Sequence, residues 1–254
     1  MRPAAAFRWR RGSLSDPGPD FPRFGLGRRL LYIRRDLAAH APAIFAAFAD
    51  PSAFAAAGAG NRASGFLLRP FGAPPLFVRH NRRGGLIRYL IDDVYFGPIA
   101  RPVRELTVTA EARMRGVAVA EPLGAMVAAI APGLYRGAFI TRPIAGFTLW
   151  EFLRADDDAR VRAHVVGLAR RAIDTMHRMG LFHADLNLHN LFVSTAGDDL
   201  GVVILDLDKA RLFPGPLAAA RRRANLARLA RSIRKLDPAG ARIDAPLRVL
   251  LTDA

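Results

Sequence analysis

The sequence predicts an α+β fold in which a small antiparallel sheet is followed by a mainly helical half. Two observations lead to this prediction. Short apolar runs separated by Pro- and Gly-containing turns are typical of strands, and they are concentrated between residues 58 and 146. Segments with apolar residues three and four positions apart, typical of amphipathic helices, dominate after residue 147. We therefore expect a tail with short helices (1–57), a sheet-containing lobe (58–146) and a helical lobe (147–254).

The composition indicates a globular protein with a large positive charge. The 254 residues include 38 Lys and Arg against 22 Asp and Glu, a formal net charge of +16, and Lys209 and Lys235 are the two lysines. Such an excess favours an anionic partner, namely nucleic acid, a phosphorylated substrate or an anionic membrane face, although an Arg- and Ala-rich genome would also produce it. The absence of cysteine excludes a disulfide scaffold, a thiolate metal site and a cysteine nucleophile.

No segment of the sequence is predicted to cross a membrane. The longest uncharged stretches, Leu37 to Ala49 and Pro122 to Tyr135, are too short to span a bilayer and contain prolines. Residues Met1 to Arg11 carry positive charge but no apolar run follows them, so they do not read as a secretory signal. We therefore expect a soluble or peripheral protein in the cytoplasm.

The first half of the chain predicts short elements. Residues Met1 to Gly27 are rich in Pro, Gly and Arg and are expected to form a loosely held tail. The Ala- and Phe-rich segment Arg35 to Ala57 predicts two short helices separated at Asp50-Pro51. A glycine-containing turn follows at Gly58 to Gly65, and a helix is expected over residues 102–116. Short strands are predicted at residues 66–68, 76–78, 117–119, 123–130 and 138–141.

The second half predicts two long helices around a pair of strands. Residues Ala155 to Gly180 have an apolar stripe, acidic residues at the start and basic residues toward the end, which matches the helix dipole. A last helix is predicted over Leu217 to Leu236. Between them, the apolar runs 191–193 and 202–205 predict two strands joined by a turn at residues 197–199.

The strongest functional signal is a set of polar residues around these two strands. His183-Ala184-Asp185 is followed by Asn190 just before the first strand, and Asp206 follows the second. The pattern H-x-D-x-x-x-x-N, strand, turn, strand, Asp is typical of phosphoryl-transfer enzymes of the protein-kinase fold. In that chemistry a loop Asp accepts the proton of the attacking hydroxyl, while an Asn oxygen and a second Asp bind Mg²⁺. The alternative is that all four are ordinary polar residues of turns.

A phosphate-binding cation is expected in the first half, where protein kinases pair a strand lysine with a helical Glu. Both lysines of this chain follow Asp206, so the cation at the end of strand 76–78 is Arg79. Its partner would be Glu105 or Glu111, and Glu105 is preferred because it falls early in the helix.

Two further features concern the substrates. Gly60 and Gly65 belong to a turn that would lie over the nucleotide, where glycine permits close approach of the backbone to phosphate. The residues that follow Asp206 are too few for both an activation segment and a helical peptide platform. A small hydroxylated acceptor or a glycolipid is therefore favoured over a protein substrate.

These motifs resemble those of the 3-deoxy-D-manno-octulosonic acid (Kdo) kinase family, which is related to the heptose kinases of lipopolysaccharide cores. The resemblance covers about Gly58 to Leu236, and in that family an Arg takes the place of the usual lysine, as Arg79 does here. Gly137-Ala138 and Arg142 depart from the family pattern near the expected hinge and adenine side. The matching strings are Arg79–Leu86 (RHNRRGGL), Arg104–Leu106, Gly116–Pro122, His183–Asn190 (HADLNLHN), Leu205–Lys209 and Asn225–Ser232.

The resemblance implies a two-lobed protein-kinase-like fold and an ATP- and Mg²⁺-dependent kinase. The implied acceptor is the 4-hydroxyl of Kdo on Kdo-lipid A, and the implied location is peripheral, at the cytoplasmic face of the inner membrane. The expected roles are catalytic base for Asp185, loop brace for His183, Mg²⁺ ligands for Asn190 and Asp206, phosphate binding for Arg79 and its orientation for Glu105.

Two alternatives stay open. A kinase of the same fold with another acceptor, such as a heptose or an aminoglycoside, would share the catalytic motif. A non-catalytic basic protein with a kinase-like shell would instead bind nucleic acid or membrane, and this alternative ranks last because no base-stacking aromatic platform is recognisable. Contact with anionic lipid is expected from arginines such as Arg82, Arg83 and residues 221–223. The sequence does not indicate an oligomeric state.

Overall fold

The computed structural model of the chain describes residues 16–56, 65–80, 94–97, 100–197 and 199–253. The chain divides into two compact units. The first, here called the sheet unit, comprises Met1–Ala110 and Glu121–Pro143, and the second, the helical unit, comprises Glu111–Ala120 and Ile144–Ala254. The predicted α+β class is confirmed, with antiparallel strands dominating the sheet unit and helices dominating the helical unit.

Within the described residues, the sheet unit contains one antiparallel sheet of eight strands. Their order is β1-β2-β7-β8-β5-β4-β3, and β6 pairs with β8. The strands are β1 (Arg23–Leu26), β2 (Arg29–Ile33), β3 (Phe54–Ala56), β4 (Gly65–Leu68), β5 (Leu76–His80), β6 (Tyr95–Phe96), β7 (Pro122–Ala131) and β8 (Leu134–Thr141). The strands predicted at 66–68, 76–78, 123–130 and 138–141 are confirmed as β4, β5, β7 and β8.

The sheet begins earlier than the sequence pattern predicted. The prediction of a loosely held tail up to Gly27 was wrong for the last residues of that segment, because β1 and β2 form a hairpin that pairs with β7. Leu26 pairs with Arg29, so the connection is a two-residue turn, and Gly27 supplies the positive φ of +57° that such a turn requires. The buried residues of β2, Leu31 and Ile33, alternate with less buried ones, as expected for a strand with one core face.

Helix α1 (Ala41–Ala49) packs on one face of this sheet after a 3₁₀ turn at Arg35–His40. Ile44 and Phe45 are buried in a cluster with residues of β2, β5 and β8. The helix ends before Asp50-Pro51, as predicted, but the second predicted helix was wrong. Residues 51–53 form a single 3₁₀ turn and β3 follows, because Phe54 pairs with Leu68 at the sheet edge.

Helix α2 (Arg101–Met114) matches the helix predicted over residues 102–116. Val103 and Leu106 pack in a second buried cluster with residues of β7 and β8. The first turn lies so close to β8 that a Cβ on Gly137 would come within 2.5 Å of Pro102 Cγ. A residue larger than glycine at position 137 would therefore force the helix away from the sheet.

The helical unit holds the remaining described elements. Its helices are α3 (Leu149–Ala155), α4 (Ala159–Arg178), α5 (Ala219–Leu236) and α6 (Ala245–Thr252). Its strands are β9 (Gly146–Thr148), β10 (Leu181–Phe182), β11 (Leu191–Ser194), β12 (Gly201–Ile204) and β13 (Arg211–Leu212), arranged as β12-β11-β9 and β10-β13. The strand predicted at 117–119 is a single bridge between Val119 and Ile204. In the part of the chain described, no helix is long and apolar enough to cross a bilayer.

The helix predicted over Ala155 to Gly180 begins later than expected. Ala155 ends α3, whose capping box joins Thr148 and Glu151, and α4 starts after Asp158. Asp158 caps α4 by accepting a hydrogen bond from Arg160 N at 2.7 Å. The acidic residues seen in the sequence therefore mark the junction between two helices. Asp158 is the N-cap of α4, and an N-cap residue has a non-helical backbone conformation.

Candidate active site

A loop over residues 183–190 joins β10 to β11 and carries most of the predicted site. Strands β11 and β12 pair antiparallel, with Leu191 opposite Ile204. The ladder is extended by a hydrogen bond from Leu205 N to Asn190 O at 2.9 Å. Asn190 and Asp206 therefore lie at the same end of one hairpin, next to each other.

His183 braces this loop with both of its ring nitrogens. Nδ1 accepts a hydrogen bond from Asp185 N at 3.1 Å, and Nε2 lies 2.9 Å from Leu205 O, to which it donates as the N–H tautomer. The side chain is buried, with 1% of its surface exposed. Burial holds the pKa of His183 below its ordinary value, so the neutral form that makes both bonds is favoured.

A buried amide on α5 fixes the backbone of His183. Asn225 Oδ1 accepts from His183 N at 3.3 Å, and Asn225 Nδ2 donates to His183 O. Two turns further along α5, Ser232 Oγ accepts a hydrogen bond from Leu188 N at 3.2 Å. Asn225 is fully buried, so these bonds replace water for groups that would otherwise be costly to bury.

Sequence reasoning assigned no role to Asn225 or Ser232, although both lie in a string that carries the family resemblance. One signal was present. Asn225 is a polar residue on the apolar face of a helix, next to Leu226 and one turn from Leu229. Asn225 and Ser232 are seven residues apart, a spacing that returns to the same helix face.

Two asparagines shape the rest of the loop. Asn187 Oδ1 accepts from the backbone N of His189 and of Asn190 at 2.9 and 3.2 Å, and Asn187 Nδ2 donates to Asp185 O at 3.0 Å. Asn190 Nδ2 donates to the same carbonyl at 2.8 Å. Because its amide nitrogen is engaged within the loop, Asn190 has its oxygen Oδ1 left to offer a cation.

Asp206 has an unusual backbone conformation. Its φ is +60°, and it is the one non-glycine residue with positive φ among the residues described. That left-handed region costs an ordinary residue about 1–2 kcal/mol, although Asp and Asn tolerate it better than others. A strained residue beside a loop carboxylate is typical of a functional position.

The donor set at this end of the hairpin suits Mg²⁺. The side chains of Asp185 and Asp206 are exposed, and with Asn190 they present carboxylate and amide oxygens. Mg²⁺ prefers such hard oxygen ligands and keeps several waters, so one Asp and one Asn oxygen are sufficient protein ligands. No cluster of three His, Cys, Asp or Glu side chains that could hold a metal occurs in residues the structure describes.

The sheet unit brings together the predicted cation and its partner. Arg79, on β5 between Gly65 of β4 and Phe139 of β8, forms an ion pair with Glu105 of α2. Glu105 is 1% exposed and the Arg79 side chain 18% exposed. The other candidate, Glu111, pairs instead with Arg115 at 2.8 Å. A buried carboxylate of this kind fixes the direction of the guanidinium.

The remaining sequence predictions fall in different places. Gly60 lies outside the described residues. Gly65 is the first residue of β4, and a Cβ there would come within 2.2 Å of the Phe77 ring, so packing also requires glycine. Arg142, where the sequence departs from the family pattern, binds Glu121 with its Nε 2.6 Å from Oε2, and Arg34 binds the same carboxylate. These two arginines lower the pKa of Glu121 to about 2.

The buried state of His183 predicts a dependence of stability on pH. The unfolded chain binds a proton at His183 below about pH 6.5, whereas the folded protein resists that proton. Stability is therefore expected to fall as the pH drops below 6.5. His183→Gln is expected to reduce the slope of unfolding free energy against pH between 7 and 5 by up to about 1.4 kcal/mol per pH unit.

Chemical denaturation at several pH values measures this slope, with His164→Gln, an exposed position on α4, as the control. If His183→Gln does not fold, NMR titration of the imidazoles in the unaltered protein gives the same information. A His183 ring that titrates at or above its ordinary pKa, or a slope equal to that of the control, would contradict the assignment.

Comparison with known proteins gives consistent matches. The model of the lipopolysaccharide kinase (Kdo/WaaP) family matches residues 71–247. A 3-deoxy-D-manno-octulosonic acid kinase of Xylella fastidiosa (strain M23) is 34% identical over 164 residues, which cover 63% of this chain. This chain spans 61% of the length of that relative. The kinase of the same name from Stenotrophomonas maltophilia (strain R551-3) is 35% identical over 191 residues, covering 70% of this chain and 69% of the relative.

Among solved structures, WaaP in complex with acyl carrier protein is similar with a TM-score of 0.49 and 17% sequence identity, covering 87% of this chain and 95% of that one. The family match extends over more than half of the chain and includes Arg79, Glu105, the 183–190 loop and Asp206. The chain therefore belongs to the lipopolysaccharide kinase (Kdo/WaaP) family.

Proposed function

We propose that this protein is an ATP-dependent kinase that transfers the γ-phosphate to the 4-hydroxyl of Kdo on Kdo-lipid A, in lipopolysaccharide core biosynthesis. The observation that carries the proposal is the geometry of the 183–190 loop, which places Asn190 next to Asp206 and ties its amide to the carbonyl of Asp185. Relatives named Kdo kinase support the choice of acceptor.

The loop residues have distinct roles in the proposed reaction. Asp185 accepts a hydrogen bond from the attacking sugar hydroxyl and orients it, and it need not remove the proton fully if the transition state is loose. Asn190 Oδ1 and the Asp206 carboxylate would hold Mg²⁺. When bound, ATP supplies the phosphoryl group and Mg²⁺ offsets the charge on its oxygens. His183 touches none of the reacting atoms in this scheme and acts as a positioning residue.

Arg79 is proposed to bind the phosphates of ATP. Its guanidinium stays charged at every physiological pH and can donate several hydrogen bonds to phosphate oxygens. The ion pair with Glu105 supports this role, because the buried carboxylate holds the guanidinium in one direction while 18% of the Arg79 side chain stays exposed. Lysine at this position would present a single point charge on a more flexible stem.

Contact with the inner membrane surface is also proposed, and the end of the sheet supports it. Four exposed apolar side chains, here called the apolar tip, lie at the ends of adjacent strands: Leu26, Phe96, Ile130 and Leu134. Leu26 is 54% and Phe96 76% exposed. Phe96 pairs with Leu134, and Arg28 donates to Ile130 O at 3.0 Å, which joins the two hairpin turns. Exposed apolar residues flanked by arginine suit an anionic lipid surface.

The proposed reaction predicts one added phosphate on the acceptor. The protein is incubated with ATP, Mg²⁺ and Kdo-lipid A in anionic vesicles, and the product is examined by mass spectrometry, with heptosylated core and free sugars as parallel acceptors. Asp185→Ala is expected to lower turnover at least about 100-fold and to leave ATP binding largely intact. Asp199→Ala, an exposed carboxylate near the other end of the hairpin, is the control.

Wild-type turnover by Asp185→Ala would disprove the role of this residue. Phosphate added to heptose or to a free sugar, with none on Kdo-lipid A, would show that the protein is a kinase with a different acceptor.

Substitutions at Asp206 are expected to separate the loss of activity from the loss of stability. Asp206→Gly removes the cost of positive φ and is expected to unfold with a free energy within about 1 kcal/mol of the wild type, yet to lose phosphoryl transfer with its Mg²⁺ ligand. Asp206→Ala keeps the backbone strain and is expected to be about 1 kcal/mol less stable than Asp206→Gly. Urea denaturation and turnover are measured on both variants. An active Asp206→Gly protein would rule out the metal-binding role.

The apolar tip predicts a loss of membrane binding when it becomes charged. The double variant Leu26→Asp/Phe96→Asp is expected to lower cosedimentation with phosphatidylglycerol vesicles at least about tenfold, because two apolar contacts with lipid are lost. Phe71→Asp is the matched control, since Phe71 is 96% exposed in the β4–β5 turn at the opposite end of the sheet. Equal loss in the control and the double variant would contradict the assignment of this surface.

A further inference from the structure

A cavity of about 290 Å³ lies in the helical unit between α4 and α5, away from the exposed carboxylates of the loop. Arg170, Asp174, His177 and Arg178 line it from α4, and Arg222 and Leu226 line it from α5. The proposed kinase function assigns no role to this cavity. Its volume is close to the lower end of the range found for small-ligand sites.

The charged groups around the cavity are not balanced. Arg170 binds both carboxylate oxygens of Asp174 through Nε at 2.9 Å and donates to the carbonyls of Leu250 and Asp253, so this pair is satisfied within the protein. Arg178 donates to Thr175 Oγ1 at 2.9 Å and has no carboxylate partner among the residues described. The Arg222 side chain makes no hydrogen bond or ion pair with any residue that the structure describes. Two positive charges therefore remain at one small cavity, an arrangement that an anion would stabilise.

The start of α5 adds to this positive potential. Its N-cap, Ala218, has no side-chain hydrogen bond to the helix, and its first turn holds no acidic residue. Arg221 and Arg222 lie there instead, although the positive end of a helix dipole disfavours cations. A bound anion would offset both the dipole and the Arg222 guanidinium. The Arg221 guanidinium lies over the Phe213 ring, 4.1 Å from its centroid, and does not line the cavity.

A buried histidine lies between the cavity and the catalytic loop. His177 is 4% exposed, lines the cavity, and has its Nε2 3.3 Å from Asn225 Oδ1. The same Asn225 oxygen accepts from His183 N. Among the described residues, Asn225 is the hydrogen-bond partner of the His177 ring. Because Asn225 Oδ1 can only accept, Nε2 is the protonated ring nitrogen and Nδ1 carries a lone pair. Burial lowers the pKa of His177, as do the charges of Arg222 and Arg170, against the hydrogen bond with Asn225 and the charge of Asp174, which raise it.

We propose that this cavity is a binding site for a phosphate dianion or a phosphomonoester, held by Arg178 and Arg222 beside His177. Through the hydrogen bonds from His177 to Asn225 and from Asn225 to His183, an occupied cavity would stabilise the arrangement of the catalytic loop. The ligand has two chemical sources, free phosphate and the phosphomonoester headgroup of a membrane lipid. The binding step is independent of the proposed kinase function, since it involves neither ATP nor the acceptor.

Binding of inorganic phosphate is measured by calorimetry on the full chain, at constant ionic strength and without ATP. Arg222→Glu is expected to weaken it at least tenfold. Arg223→Glu, the next residue of α5, makes the same change in net charge outside the cavity and is expected to stay within twofold of the wild type. A Glu in the first turn of α5 suits the helix dipole, so the variant is expected to fold. Arg178→Glu, with exposed Arg171→Glu as its control, tests the α4 side of the cavity.

NMR gives a second readout. The imidazole signals of His177 are expected to shift when phosphate binds to the wild-type protein. Vesicles with and without phosphatidic acid distinguish the two sources. Loss of phosphate binding in Arg222→Glu supports a site for free phosphate, and loss restricted to phosphatidic acid vesicles supports a headgroup site. Equal effects of Arg222→Glu and Arg223→Glu, or no effect of either on both ligands, would overturn the proposal.

Discussion

The candidate site depends on one buried interaction, the pairing of the Asn225 amide with the backbone of His183. Asn225 satisfies both the N–H and the C=O of a residue that is itself buried, and it belongs to a long helix packed in the core. The ring of His183 is in turn hydrogen-bonded to two backbone groups: Nδ1 accepts from Asp185 N and Nε2 donates to Leu205 O. The exposed carboxylates are thereby positioned by buried groups.

This arrangement separates stability from chemistry. The buried members, His183 and Asn225, make hydrogen bonds that the fold needs, so their loss costs stability first. The exposed members, Asp185 and Asp206, contribute little to packing, and Asp206 even holds a strained backbone. A preorganised loop of this kind suits phosphoryl transfer, where catalysis consists mainly of positioning and of electrostatic stabilisation. The Arg79–Glu105 ion pair applies the same principle in the sheet unit, with a buried anion fixing a partly exposed cation.

Much of this could be predicted from the sequence because its signals are local. Apolar runs bounded by turns predicted strands such as β7, and period-3.6 patterns predicted helices such as α5. The spacing of Asp185, Asn190 and Asp206 located the loop and the hairpin end. The β1–β2 hairpin was missed because Gly and Arg within it resemble a tail, and its pairing with β7 is a long-range contact. The function of Asn225 was missed for a related reason, since a helix residue reveals no hydrogen bond to a loop 42 positions away.

The central claim is that Asn190 and Asp206 bind the metal of a nucleotide. A crystal structure of the protein with Mg²⁺ and a non-hydrolysable ATP analogue tests it most directly. We expect Asn190 Oδ1 and an Asp206 carboxylate oxygen at about 2.0–2.1 Å from Mg²⁺. Nucleotide and metal bound at another place, or bound here without contact to these two side chains, would contradict the account.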